Sequence, residues 1–424
     1  MQLKIEKVRK PKLLLITPSF PYPLSDGAKV AQFGFLGYLV KDFDVTLFFA
    51  VTNDSEKVSF ERLQQLIPEI RYISFDERAS TRTIKFNNVF NALYVIKRII
   101  LGVKPNEANP FLNPSLVNPI PQKGEAFIDA IFKLVSSQLY DLIQIDLIQF
   151  LDLKSIFPKD TKVIFVHHEL RFITLRELQK RNIYSTSFSN YVIERVKKLE
   201  QAYLEAYDRI LVFSEGDKEK LSNFVRSQNI KVSPFPVLEK DLYRGERKFK
   251  NIKRLLFIGG EFHYPNKEGV LWFINEIFPL LNNPDLEVFI IGGWSNSSIE
   301  KHATKKIQFL GYVDDIDSSF ENSIFICPIQ IGSGIRTKVL QAIAKKIPIV
   351  TTSIGCEGLL LENNVHCLIS DSPIDFKNSI DRLLESQELC ESLVSNAFRH
   401  ITSKFSQEAC YKIRKNIYLS TIEG

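Results

Sequence analysis

The sequence predicts an α/β protein built from two parallel-sheet halves. Three observations carry this. Short apolar runs such as Lys12–Thr17, Val45–Ala50, Leu255–Ile258, Glu287–Ile291 and Ile324–Cys327 have the length and flanks of buried strands. Amphipathic stretches at helical spacing stand between them. The pattern breaks at Ser233-Pro234-Phe235-Pro236, passes a basic run from Arg244 to Arg254, and restarts at Leu255. A chain of 424 residues is long enough for two or three domains of ~150 residues each.

Composition narrows the function classes. The chain is 45% hydrophobic and 25% charged, as an ordinary globular protein is. A net charge of +6 at this length does not mark a nucleic-acid binder, but it suits an anionic ligand or a membrane surface. The five cysteines, Cys327, Cys356, Cys367, Cys390 and Cys410, are odd in number and form no Cys-x-x-Cys. That points to reduced thiols in a cytosol and away from zinc. Leu13–Ile16 is too short for a signal-peptide core, and no run approaches the ~18–20 apolar residues of a spanning helix. The expectation is a cytoplasmic protein, at most peripheral at the inner face of a membrane.

In the first half, strand Lys12–Thr17 leads into the stiff loop Pro18–Pro23, then Asp26-Gly27 and a helix carrying Val30, Phe33, Phe35, Leu36 and Leu39. Strand, glycine loop, helix, strand opens a Rossmann-like half. The loop lacks Gly-x-Gly-x-x-Gly, so a nicotinamide or flavin is not expected. Helices are expected at Glu61–Leu66, Ala126–Leu139 and Asn190–Tyr207, and strands at Tyr72–Phe75, Leu142–Ile145, Lys162–Val166 and Arg209–Phe213. Thr83–Gly102 reads as a basic amphipathic segment, either core-facing or membrane-resting. Pro105–Pro121 reads as a long irregular connection. The strand at Lys162 ends in His167-His168-Glu169, a polar cluster where open α/β sheets place ligands; it can equally be a polar loop. Ser214 before Asp217 reads as a helix cap.

In the second half, strand Leu255–Ile258 meets Gly259-Gly260, and helices are expected at Val270–Leu281, Asp315–Asn322, Ser372–Leu384 and Leu389–Phe405. The most informative stretch is Pro328–Leu359. Gly332 and Gly334 permit backbone conformations closed to other residues and leave amides uncovered. A helix is expected from about Ile335, and its N-terminal N–H groups and dipole suit an anion. Arg336 and Lys338 put two cations in its first turn, where cations oppose the dipole. Gln341 falls one turn on, on the side of Lys338. After strand Ile349–Thr352 comes the loop Gly355–Gly358. Asp42-Phe43-Asp44 and Asp315-Ile316-Asp317 do not follow strand ends, so they read as solvated or capping carboxylates and no metal is demanded.

This stretch resembles the donor-nucleotide motif of GT-B glycosyltransferases, the retaining group often called family four, which reads Gly-x-Gly-x-Arg-x-Lys, then Glu-Ala-Met-Ala, then Gly-x-Glu-Gly-Leu. The matches are Gly332, Gly334, Arg336, Lys338, Ala342, Ala344, Gly355, Glu357, Gly358 and Leu359. The chain departs at Gln341, where the family has a ribose-binding glutamate, and it lacks the family's arginine near Lys267. The resemblance implies two Rossmann-like domains facing each other across a cleft, residues 1–236 binding the acceptor and 237–405 the nucleotide-sugar donor, with the last helix, 406–424, packing back on the first. It implies donor contacts from Gly27, Gly259, Gly260, Gly332, Gly334, Arg336, Lys338, Gln341, Glu357 and Gly358; for Gly27 a plain turn glycine is the other reading. It implies a catalytic histidine, His168 or its neighbour His167. The implied activity is hexosyl-type transfer, with retention, from a nucleoside-diphosphate sugar to a glycan or lipid-linked acceptor in polysaccharide or lipid-linked glycan assembly. No cofactor, metal or nucleic-acid partner is expected. Two rival readings are a sugar-nucleotide 2-epimerase and a catalytically silent nucleotide-sugar-binding scaffold.

Overall fold

The computed structural model describes residues 9–18, 20–24, 26–51, 55–76, 111, 117–180, 186–313 and 316–424. Its strands are β1 (Lys12–Thr17), β2 (Asp44–Val51), β3 (Arg71–Asp76), β4 (Leu142–Asp146), β5 (Val163–Val166), β6 (Arg209–Val212), β7 (Ile230–Val232), β8 (Arg254–Ile258), β9 (Glu287–Ile291), β10 (Ile307–Gly311), β11 (Ser323–Cys327), β12 (Ile349–Thr351) and β13 (Leu368–Ile369). They form a seven-stranded sheet in the order β3-β2-β1-β4-β5-β6-β7 and a six-stranded sheet in the order β10-β9-β8-β11-β12-β13. Neighbouring strands pair in parallel, as Leu13 with Val45 and Leu142, or Ile326 with Val350. Parallel strands are covered on both faces, which is why Leu13–Ile16 and Ile324–Cys327 are unbroken apolar runs and are buried throughout. Each sheet reverses direction of growth once, between β1 and β4 in the first and between β8 and β11 in the second. At such a point the loops leaving adjacent strand ends diverge, and a crevice opens.

The chain divides into two compact units. Taken over described residues, the first holds Met1–Val212, Lys218–Ser233 and Tyr411–Gly424, and the second Phe213–Asp217 and Pro234–Cys410. The last helix, Gln407–Glu423, delivers its Tyr411–Glu423 part to the first unit. There Tyr411 Oη and Lys415 Nζ each reach the Asp42 carboxylate at 2.7 Å. Asp42 is therefore an anchor for that helix rather than a solvated or capping carboxylate. Arg414 lies 3.8 Å from the Phe35 ring centroid and donates to Ser233 Oγ at 2.8 Å. Asp317, also expected to be solvated or capping, pairs with Lys345 at 2.8 Å. Asp315 and Thr83–Gly102 lie outside the described residues, as does most of Pro105–Pro121.

The expected helix Val270–Leu281 is corrected. The α-helix is Tyr264–Trp272, followed by a π turn at Phe273–Ile277 and a 3-10 turn at Phe278–Leu280. Pro265 sits in the first turn, where its missing N–H costs nothing, so the helix starts earlier than the apolar pattern indicates. Helices Arg171–Lys180 and Asn296–His302 and the short strands β7 and β13 are additional to the expected elements, and the helix that Ser214 was expected to cap is Glu215–Ser222. All five cysteines are buried and unbridged in the second unit. No helix among the described residues is long and apolar enough to cross a membrane.

Ile326 in β11 is 1% exposed. Ile326→Ala should cost about 2–5 kcal/mol of the second unit's stability. Both tryptophans, Trp272 and Trp294, lie in that unit, so the midpoint of their fluorescence change in urea measures the loss.

Candidate functional site

The second sheet's reversal point gathers most of the residues singled out from sequence. Gly259 and Gly260 leave the end of β8, and Gly332 and Gly334 leave the end of β11, its neighbour. Helix Thr337–Ala344 then starts with Arg336 at its N-cap, later than expected. Three of these four glycines have positive φ, Gly259 at 153°, Gly332 at 104° and Gly334 at 81°. At Gly259 there is also no room, since a Cβ would come within 2.6 Å of Lys338 Nζ and Asn266 Nδ2.

Arg336 is buried, and it turns inward. Nη1 donates to the carbonyls of Ser333 at 2.6 Å and Gly334 at 2.9 Å, and Nη2 to Ile331 at 3.3 Å. Carbonyl and N–H point opposite ways across a trans peptide, so drawing those carbonyls in turns the following amides out. One of them, Gly334 N–H, meets the Asp217 carboxylate at 3.3 Å. Ser214 Oγ accepts from the Asp217 N–H at 3.0 Å, as the capping reading expects, and its hydroxyl donates to the Asp217 carboxylate at 2.7 Å. These residues group with the second unit. Gly358, at φ 79°, lies so close to Ser214 that a Cβ would be 2.7 Å from that residue's Cβ, and Glu357 sits beside Gly216.

Lys338 Nζ donates to Asn266 Oδ1 at 2.5 Å and lies 4.4 Å from the Phe257 ring centroid. Burial lowers its pKa to about 8, and the nearby Arg336 charge adds to the shift. Asn266 is tied in turn to Gly260 O at 3.0 Å, so one side chain joins the β8 loop to the β11 helix. Asn266 was not singled out from sequence, because its role rests on a partner 72 residues away. Lys267 pairs with Glu261, which also accepts from Ser295 and Ser298. Burial raises the Glu261 pKa, but these bonds outweigh it and hold it at about 2. Gln341 is half-buried, one turn beyond Lys338.

In the first unit the histidine pair splits. His167 is 4% exposed, edge-on to Phe165, with Nε2 3.8 Å from Glu200. Burial lowers the His167 pKa to about 3 and raises that of Glu200 to about 8, so near pH 7 both are neutral and the contact is not ionic. His168 instead sets Nε2 3.0 Å from Asp146 Oδ1. Asp146 is the last residue of β4, one beyond the strand expected from sequence. Gly27 opens the helix Gly27–Asp42, capped by Asp26. Among the described residues no cluster of three or more His, Cys, Asp or Glu could hold a metal.

Residues 252–386, which contain the whole second sheet, match the family model described as Glycosyl transferases group 1. An uncharacterized 44.6 kDa protein in the cps region of Klebsiella pneumoniae is 21% identical over 417 residues, covering 94% of this chain and 98% of that protein. Among solved structures, TarM of S. aureus has a TM-score of 0.68 at 12% identity, over 98% of this chain and 100% of that one. Anabaena HepE in complex with UDP and glucose has a TM-score of 0.65 at 11% identity, over 96% and 100% of the two chains. Residues 252–386 thus carry the sequence signature of the group 1 glycosyl transferases, and the chain as a whole has the two-sheet α/β fold of the solved GT-B glycosyltransferases.

Proposed function

We propose that this protein transfers a hexosyl-type sugar from a nucleoside-diphosphate donor to a glycan or lipid-linked acceptor in polysaccharide assembly. The observation that carries the reading is the meeting of Gly259, Gly260, Gly332, Gly334, Arg336 and Lys338 at one reversal point, inside the segment that matches the glycosyl transferase family. Small residues give a diphosphate access to backbone amides, and a cation on a short helix neutralises it. Leaving-group charge grows as the sugar departs, so groups already aimed at the diphosphate stabilise the transition state. Arg336 acts by shaping the loop, and Lys338 by its charge. Gln341 takes the ribose hydroxyls, accepting from one and donating to the other. Glu357 and Gly358 belong to the same pocket, and His168 serves the transferred sugar. Retention is what the family resemblance implies, and the placement of the two Asp-x-Asp stretches away from strand ends calls for no metal. The cps location of the Klebsiella relative and the UDP and glucose bound by HepE favour a capsule-type product and a UDP-sugar donor. A peripheral contact with the inner membrane face would suit a lipid-linked acceptor.

A second reading, a silent scaffold that binds the donor without turnover, rests on the Gln341 departure alone. A thermal-shift screen of nucleotide sugars followed by product analysis separates the two, because transfer gives a glycoside and binding alone gives none. No stabilisation by any nucleotide sugar would defeat both.

Two outcomes test the site. Lys338→Ala should raise the donor Kd ~10–100-fold, since a charge-assisted bond contributes roughly 1.5–3 kcal/mol. The sign with pH follows from the lowered pKa of about 8. Above it the unliganded lysine is neutral and must take up a proton to hold the diphosphate, so wild-type affinity falls as pH rises beyond about 8, by up to about tenfold per pH unit. The slope should be absent in Lys338→Ala, as titration calorimetry from pH 7 to 10 would show. Gln341→Glu should bind the donor at least as tightly as wild type, because a carboxylate accepts from both ribose hydroxyls. Loss of binding in that variant would mean that the nucleotide is held another way.

A further inference from the structure

The first sheet has a reversal point of its own, between β1 and β4, and Asp146 ends β4 there. We propose that Asp146 is a positioning residue that holds the His168 ring in its Nε2–H form, an inference that rests on the reading of His168 as a contact to the transferred sugar. Asp146 is 3% exposed and carries bonds on both oxygens. Oδ1 is 3.0 Å from His168 Nε2, and Oδ2 accepts from Gln144 Nε2 at 2.5 Å. A carboxylate only accepts, so the histidine nitrogen facing it must carry the proton.

The direction of the whole chain of bonds is determined. Gln144 is buried at 4% exposure, and its Oε1 accepts from the hydroxyl of Tyr418 on the last helix. Turning the amide over would set its oxygen against the Asp146 oxygen, acceptor to acceptor, so only one orientation satisfies both ends. One oxygen of Asp146 thus fixes the Gln144 amide, which leaves Gln144 Oε1 to accept from Tyr418, and the other oxygen fixes the ring. Arg414 lines the same small cavity as Asp146, with Thr17 and Gln32. A buried aspartate that merely filled its place in the core would need none of this orientation.

The test uses the full chain, labelled with ¹⁵N at histidine, and reads the ring nitrogens by NMR, with His168→Ala identifying the signals. Wild type should show His168 protonated at Nε2, and Asp146→Asn should lose that preference, because an amide can turn its NH2 toward the ring and favour the other tautomer. An Nδ1–H ring in wild type, or an unchanged ring in Asp146→Asn, overturns the proposal. The wild-type spectrum needs no variant, so it decides even if Asp146→Asn fails to fold. Kinetics give the second readout. Asp146→Asn should lower kcat for transfer from a UDP-sugar about 10–100-fold while KM moves less than about threefold. It should add nothing to His168→Ala, and a full additional loss in that background overturns the positioning role. Absence of transfer by wild type would defeat the proposed function while leaving the ring measurement to decide on Asp146.

Discussion

The Arg336 guanidinium is the interaction on which the glycine loop depends. Without it the backbone from Ile331 to Gly334 would have to leave three carbonyls unmet in a buried place, each a substantial cost. With it, one planar cation satisfies all three through charge-assisted bonds, and the loop takes a single shape. The outward-facing amides are a product of that shape. The Asp217 carboxylate at Gly334 N–H shows the chemistry they attract. Burying the charge is itself costly, so the arrangement holds only while the carbonyls stay in place. Loop and cation therefore specify each other.

The two sheets use one constraint twice. In a parallel sheet every strand ends at the same edge, and the order of connections decides where that edge is open. In the second sheet the opening lies between β8 and β11, and the glycines and cations are there. In the first it lies between β1 and β4, and Thr17, Gln32 and Asp146 line it. The second unit thus gathers glycine backbone and two cations at its reversal point, whereas the first gathers a buried carboxylate and a histidine. One topology, used twice, places two different kinds of chemistry.

How far the sequence reveals this depends on the range of each interaction. The parallel sheets were legible because strands covered on both faces read as unbroken apolar runs. Gly332, Gly334, Arg336 and Lys338 were legible because they lie within seven residues of one another on one loop and helix. What Arg336 does was not, since a cation in a first turn reads the same whether it faces a ligand or its own loop. The histidine pair could not be divided from sequence either. Alternation along a strand separates inside from outside only where one face is wet, and both faces of this sheet are covered. Asp146 and Gln144 were hidden by distance, because Gln144 bonds Tyr418, 274 residues away along the chain, and Asp146 bonds His168, 22 residues away.

The five thiols add a practical consequence. Every one is buried, and the first unit has no cysteine at all. Burial also raises the thiol pKa, to about 12 for both Cys356 and Cys390. A thiol held protonated and out of reach is inert to alkylating reagents until the structure around it opens. The native chain therefore carries an intrinsic clock for one unit alone. The rate at which each sulfur becomes modifiable reports the opening free energy of its own surroundings, from Cys327 beneath the glycine loop to Cys410 on the last helix, with no label engineered and no signal from the other half of the molecule.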